Sequence, residues 1–347
     1  MQFELMQRGR ALMDFEVSAR QTASKLQQRA EAELAGMGVT AESLPNDMEA
    51  RHRLIDERLA ASPVFQARAL LGEWCAKQHG RAAEEAFDEI RDGIVPELER
   101  LRHGGTTITA HDFTAPRYWS EIWFHRTRGG WDASDYNGFI HGELVHKKYV
   151  SKVFPGDIYG NRRLILKQLP RDDYATILEV GTSSGHHTLA IADVFPHARI
   201  SGIDPSIRML EQAQRVANER GLAWDLHTGV GEDMAMFADN SFDLVTAYAI
   251  HHEMPPHAIA AIFAEAWRVL KPGGDMVMAD VVRTGDLDKM AAWRMDWAAK
   301  WGGEPFWRAT AKLDMEPMAR EAGFIDVRGF TPQPGRDPYV IYGRKPA

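Results

Sequence analysis

The chain has 347 residues, one cysteine and a formal charge of −8 from 41 basic and 49 acidic side chains, with a sequence pI of about 6.0. That length accommodates one large domain and an accessory one at ~100 to 200 residues each; a lone cysteine excludes an intrachain disulfide framework, and an acidic balance without a long Lys/Arg cluster argues against a nucleic-acid partner. Met1-Gln2-Phe3-Glu4 is not a basic segment leading into an apolar run, and no stretch approaches ~18 apolar residues, so we expect neither export nor membrane spanning and a cytoplasmic protein.

Residues 1–104 read as a helical N-terminal domain. Leu12, Phe15, Ala19, Thr22, Leu26 and Ala30 recur at spacings of three and four and form one apolar stripe that ends at Gly36 and Gly38. A long helix near a chain end buries only part of its surface locally, so the stripe is expected either to pack on its own domain or to meet a second copy in a homodimer. Further helices are expected over 46–59, 63–78 and 82–102, with Pro45 and Pro63 as starts and Gly72 a weak spot.

Residues 105–160 form a connecting, pocket-capping region. Gly104-Gly105-Thr106-Thr107 reads as a hinge, and beyond it Trp119, Trp123 and Trp131 mix with His111, His125, His141 and His146 and with Arg117, Arg126 and Arg128. No His-x-x-x-His or Cys-containing pattern accompanies them, so we expect no metal site; a wall over a small-molecule pocket or plain interdomain packing fits the mix. A helix over 158–166 then leads into the last domain, where Tyr159 and Arg162 or Arg163 are candidates to face a ligand carboxylate.

Residues 161–347 alternate strand and helix, which requires parallel strands with right-handed crossovers and places ligands beyond the carboxyl ends of the strands. The expected fold is α/β, a doubly wound and mostly parallel sheet. In Ile177-Leu178-Glu179-Val180-Gly181-Thr182-Ser183-Ser184-Gly185-His186-His187 an apolar run stops at an acid, turns through two glycines and passes into a helix. Such a loop brings backbone close to a ligand, and the helix start offers free N–H groups. The dinucleotide fingerprint fails at Ser183 and His186, and no Gly-Lys-Ser/Thr follows for a triphosphate loop. The strand 198–203 ends in Asp204, 25 residues after Glu179, where a carboxylate accepts from a ribose diol or else caps the helix starting at Ile207. The segment Gly229 to Met234, the strand 242–245, the helix 259–270, the turn Lys271-Pro272-Gly273-Gly274 and the strand 275–280 follow. Two final strands, 324–328 and 339–342, flank the turn-rich 331–338.

From Glu179-Val180-Gly181 through Asp204, Gly231-Glu232-Asp233 and the closing strands, residues 160 to 345 resemble the class I, Rossmann-like, S-adenosylmethionine-dependent methyltransferases that act on small molecules. The resemblance implies a seven-stranded sheet whose last strand is antiparallel, and S-adenosyl-L-methionine as cosubstrate. By it Gly181, Ser183 and Gly185 line the methionine and ribose, with Glu179 as the acid of the motif; Asp204 holds the ribose hydroxyls, and Gly231, Glu232 and Asp233 lie by the adenine. Val230 stands where many relatives carry an acid, which shifts the adenine contact to Glu232 or Asp233. The acceptor pocket is expected to begin at Tyr248. His251 or His252 with Glu253 is the candidate base, because imidazole titrates near neutrality and a carboxylate orients it, and Asp280 is a second candidate. Tyr159, Tyr248, Trp293 and Trp297 are the candidate substrate contacts; the spacing Trp293, Trp297, Trp301 puts three indoles on one helical face, a core stripe or a pocket lid. The acceptor and its reacting atom, O, C, N or S, stay open. The other readings are a binding protein that keeps the fold without turnover and, opposed by Ser183 and His186, a nicotinamide-dependent oxidoreductase.

Overall fold

The structure is a computed structural model that describes residues 2–126, 130–154, 157–333 and 337–347, so Arg128 and the turn residues 334–336 lie outside it. Among the described residues, eight strands form one sheet: β1 (Thr107–Thr109), β2 (Thr176–Val180), β3 (Arg199–Asp204), β4 (Asp225–Thr228), β5 (Phe242–Tyr248), β6 (Leu270–Asp280), β7 (Ile325–Phe330) and β8 (Tyr339–Arg344). Their order is β1-β4-β3-β2-β5-β6-β8-β7, parallel from β1 to β6, with β8 inserted antiparallel to both β6 and β7. Both faces are covered, so the central strands are near-continuous apolar runs. Alternate residues enter different cores: Leu178, Val180 and Val245 on one side, Ile177, Ile200 and Leu244 on the other.

The eighth strand corrects the expected seven. Gly104-Gly105 leads into β1, which pairs with β4 at Thr107 and Asp225, while the Thr106 hydroxyl donates to the Leu222 carbonyl at 3.1 Å. Only three residues pair, so neither alternation nor β-branched enrichment had the length to announce a strand. The chain order reverses between β2 and β5, and a crevice opens there beyond the strand ends.

Three N-terminal helices, α1 (Gln7–Gly36), α2 (Met48–Leu59) and α3 (Pro63–Arg100), lie against this unit. The expected break at 79–81 is absent: a single Gly80 costs only about 1 kcal/mol relative to Ala, and Ala82, Ala83, Ala86 and Phe87 pack on Met13 and Val17 of α1. The helices cross so closely that a Cβ on Gly9 would stand 3.0 Å from the Ala86 Cα. The buried face of α1 runs through Met13, Val17, Ala23, Gln27, Ala30 and Leu34. The expected stripe is therefore partly displaced: Ala19 and Ala30 are buried, whereas Phe15 is 59% exposed and Thr22 faces solvent. α1 spends that face on α3 within the chain. Among the described residues no helix is long and apolar enough to cross a membrane.

A π-helix, Ile140–Val150, packs Leu144, Val145 and Tyr149 into the α1–α3 core and roofs the crevice. Its Gly142 passes so near the loop after β2 that a Cβ would lie 2.9 Å from the Ser184 side chain.

Candidate functional site

At the carboxyl ends of β2, β3, β5 and β6 the sheet, the π-helix and residues 118–125 and 130–131 enclose a cavity of about 800 Å³. One half is built by the loop after β2. Gly181, Ser183 and Gly185 all adopt positive φ, +75°, +49° and +85°. Gly181 has no room for a side chain, since a Cβ would come within 2.3 Å of Ile250 Cγ2. Gly181 and Ser183 line the cavity; Gly185 lies beneath it, against Ala213 and Trp224, and opens the helix His186–Val194.

Asp204 ends β3 facing this loop. Its Oδ2 accepts from the Ser183 backbone N–H at 2.8 Å and its Oδ1 from the Ser206 N–H at 2.9 Å. The neighbouring helix, Ile207–Glu219, is capped instead by Ser206, whose Oγ accepts from the Met209 N–H. Asp204 is thus released from capping, and each oxygen keeps a lone pair for the cavity. Burial pushes its carboxyl up to about 6, against the pull of those two N–H donors. Glu179 is buried at the end of β2, accepts from the Thr188 hydroxyl at 2.5 Å, and is pushed by burial up to about 8.

Arg162, on the helix Ile158–Leu166, is buried in the cavity wall with its guanidinium 4.5 Å from the centre of the Tyr248 ring. Of the two arginines it is the one at the site, for Arg163 pairs with Asp193 at the surface. Tyr159 stands behind the wall, its hydroxyl 3.2 Å from His146 Nδ1. Gly231 and Glu232 line the far side, and Glu232 accepts from the Tyr118 hydroxyl. Asp233 is exposed and accepts from the Ala235 N–H. Of the two acids only Glu232 faces the cavity, because the side chain of Asp233 turns outward to solvent.

The other half is aromatic and imidazole-rich: Trp119, Phe124, Trp131, His141 and His146 face Tyr248, His252 and Trp307. His252 Nδ1 is 2.7 Å from Asp280 Oδ1, and its Nε2 is 3.4 Å from Glu253 Oε1. The same Glu253 oxygen is 3.1 Å from His125 Nε2, and His125 Nδ1 is 2.7 Å from Glu304 Oε1. Carboxylates and imidazoles alternate in one chain: Asp280, His252, Glu253, His125, Glu304. Burial disfavours charge on both imidazoles, but the carboxylates outweigh it and hold both well above the usual histidine range.

Two sequence expectations are corrected here. His251 does not reach the cavity: its ring packs near Phe263, its backbone N–H donates to Asp280 Oδ2 at 2.7 Å, and burial keeps it neutral. The short helical turn 251–253 points adjacent side chains in different directions, and only His252 and Glu253 face the pocket. Trp293 and Trp297 do share one face of the helix Lys289–Gly302, but that face meets α2 and α3. Trp293 is fully buried beside Phe65, and Trp297 carries the Arg68 guanidinium 3.4 Å from its ring centre. Arg294, Met295 and Ala298, from the same helix, line the cavity instead.

Sequence reasoning missed Tyr118 and Glu304 and named His125 only as part of a dense region. Aromatic and imidazole density marked the segment of Tyr118 and His125. Nothing local marks Glu304, because its partner is 179 positions away.

Residues 177–274 match the family model described as a methyltransferase domain. Among curated proteins the chain is 34% identical over 122 residues to sterol 24-C-methyltransferase ERG6A of Gibberella zeae, covering 35% of this chain and 31% of that one. It is 31% identical over 113 residues to trans-aconitate 2-methyltransferase of Azoarcus sp., 32% of this chain and 41% of that one. The chain thus spans less than half the length of either relative. Among solved structures it is similar to Haemonchus contortus phosphoethanolamine N-methyltransferase 2 in complex with S-adenosyl-L-methionine, at 18% identity, TM-score 0.45, and 62% and 58% coverage of the two chains.

Proposed function

We propose that this chain, whose residues 177–274 match a methyltransferase domain, is a class I S-adenosylmethionine-dependent methyltransferase that transfers a methyl group from S-adenosyl-L-methionine to a small-molecule acceptor. The observation that carries this reading is the Asp204 carboxylate, buried, uncapped and held against the positive-φ loop at the reversal of strand order. That loop fits an adenosyl group: a side chain at Gly181 would collide with the wall, and the spare lone pairs of Asp204 suit a vicinal diol.

In this reading the donor, when bound, supplies a methyl carried on a cationic sulfur. Asp204 accepts from the ribose hydroxyls, the Arg162 guanidinium and the Glu179 carboxyl face the amino-acid end, and Glu232 lies toward the base. The aromatic half holds the acceptor with water excluded, so that orientation supplies much of the rate, with effective molarities of roughly 10⁵ M or more available. An acceptor that must lose a proton as it gains the methyl meets the corner of His252 and Glu253, where Asp280 fixes the His252 ring.

Tritium in the donor methyl tests the proposal. Incubated with metabolite extract, the protein is expected to move label into an organic product and the Asp204→Ala variant to lose most of that transfer. Donor binding with no transfer to any extract would leave a binding protein in place of an enzyme. The homodimer is also a proposal: exposed Phe15, Leu70 and Trp74, with the Phe15 and Trp74 rings 5.6 Å apart, are the surface it would use, and a monomer mass by light scattering would remove it.

A further inference from the structure

The acceptor half of the cavity holds a cluster that reaches beyond the corner of His252 and Glu253. His125, Glu253 and Glu304 each offer one donor atom, and these atoms all lie within 4.8 Å of one another. They come from three separate places: the turn Phe124–Arg126, the turn after β5, and the segment following the helix Lys289–Gly302. All three line the cavity. Each carboxylate uses only one oxygen on His125; Oε2 of Glu253 and Oε2 of Glu304 are buried with no hydrogen-bond partner among the described residues. A buried carboxylate oxygen without a donor is costly and calls for one, or for a cation.

We propose that His125, Glu253 and Glu304 form a binding site for a divalent first-row transition-metal ion, placed to contact the acceptor. Nitrogen and carboxylate ligands bind such an ion at about 2.0–2.2 Å, so two donors on opposite sides of it stand about 4.4 Å apart. Donor atoms that all lie within 4.8 Å of one another reach that spacing with small side-chain rotations. The 3.1 Å between His125 Nε2 and Glu253 Oε1 is the separation of adjacent ligands on one ion. One imidazole with two carboxylates suits zinc, manganese, iron or cobalt, and discriminates against magnesium, which prefers oxygen. His252, with Nε2 3.4 Å from Glu253 and Nδ1 on Asp280, stands beside this set. The ion would polarise an acceptor hydroxyl or thiol. Binding of the ion does not depend on the proposed methyl transfer; only its use there does.

Cobalt(II) is the probe. Full-length protein stripped with chelator is titrated with CoCl₂, with no donor or acceptor present, and followed by visible absorption and calorimetry. One ion per chain with visible absorption bands is expected, with affinity at least tenfold weaker in both His125→Ala and Glu304→Gln. Thermal melts of the ion-free variants within a few degrees of the parent certify the fold. Absence of binding at about 100 times a micromolar dissociation constant, or equal affinity in parent and both folded variants, overturns the site. Donor affinity measured on the same samples reports separately on the methyltransferase reading.

Discussion

Asp204 and Ser206 divide two tasks that the sequence left to one carboxylate. With Ser206 capping the helix, Asp204 Oδ2 meets the loop after β2 while Oδ1 accepts from the Ser206 N–H. Which of the two would cap was illegible because Asp and Ser are near-equal caps two positions apart; the outcome depends on where the β2 loop puts its N–H groups. Glu179 is the other buried acid, and its environment yields a pH signature. Burial raises its carboxyl from 4.5 to about 8, so the folded protein holds that proton more tightly than the unfolded chain does. The stabilisation is full below 4.5 and is lost as pH rises through about 8. Ligand-free parent protein is therefore expected to lose more thermal stability between about pH 5 and pH 8.5 than Glu179→Gln, whose side chain does not titrate. Parallel melting curves across that range would mean that Glu179 is ionised in the folded state.

At the scale of elements, the helices and strands with long periodic runs were legible: 158–166 is a helix as expected, and the 207–219 helix and the β7–β8 hairpin follow closely. Elements that short pieces or distant partners decide were not. β1 is three residues whose only strand signal is the neighbouring β4, and α3 is continuous because α1 packs across the expected gap. The tryptophan helix shows the same limit. Its spacing fixed which residues share a face, but which face meets the cavity depended on α2 and α3 claiming the indoles. Trp293→Ala should therefore destabilise the protein by about 3–5 kcal/mol through loss of a fully buried side chain, whereas Trp301→Ala, at a position 46% exposed, should cost under about 1 kcal/mol. Denaturant unfolding measures both, and similar losses at the two sites would mean that this face is not the seam with the N-terminal helices.

Across the whole molecule the site divides into a half read from sequence and a half assembled by folding. The donor loop and Asp204 fall within one local run of strand, loop and helix, so their spacing survives in the primary structure. The acceptor half draws Tyr118, His125, His252, Asp280 and Glu304 from segments far apart in the sequence, and folding alone brings them together over the strand ends. The central claim nonetheless rests on the legible half, and calorimetric titration of S-adenosyl-L-methionine into the parent and Asp204→Ala proteins addresses it most directly. A hydrogen bond to a buried charge contributes roughly 1.5 to 3 kcal/mol, so the account predicts one donor per chain, affinity at least tenfold weaker in the variant, and no heat with nicotinamide dinucleotide. Absence of donor binding to the parent, or equal affinity in the variant, would contradict it.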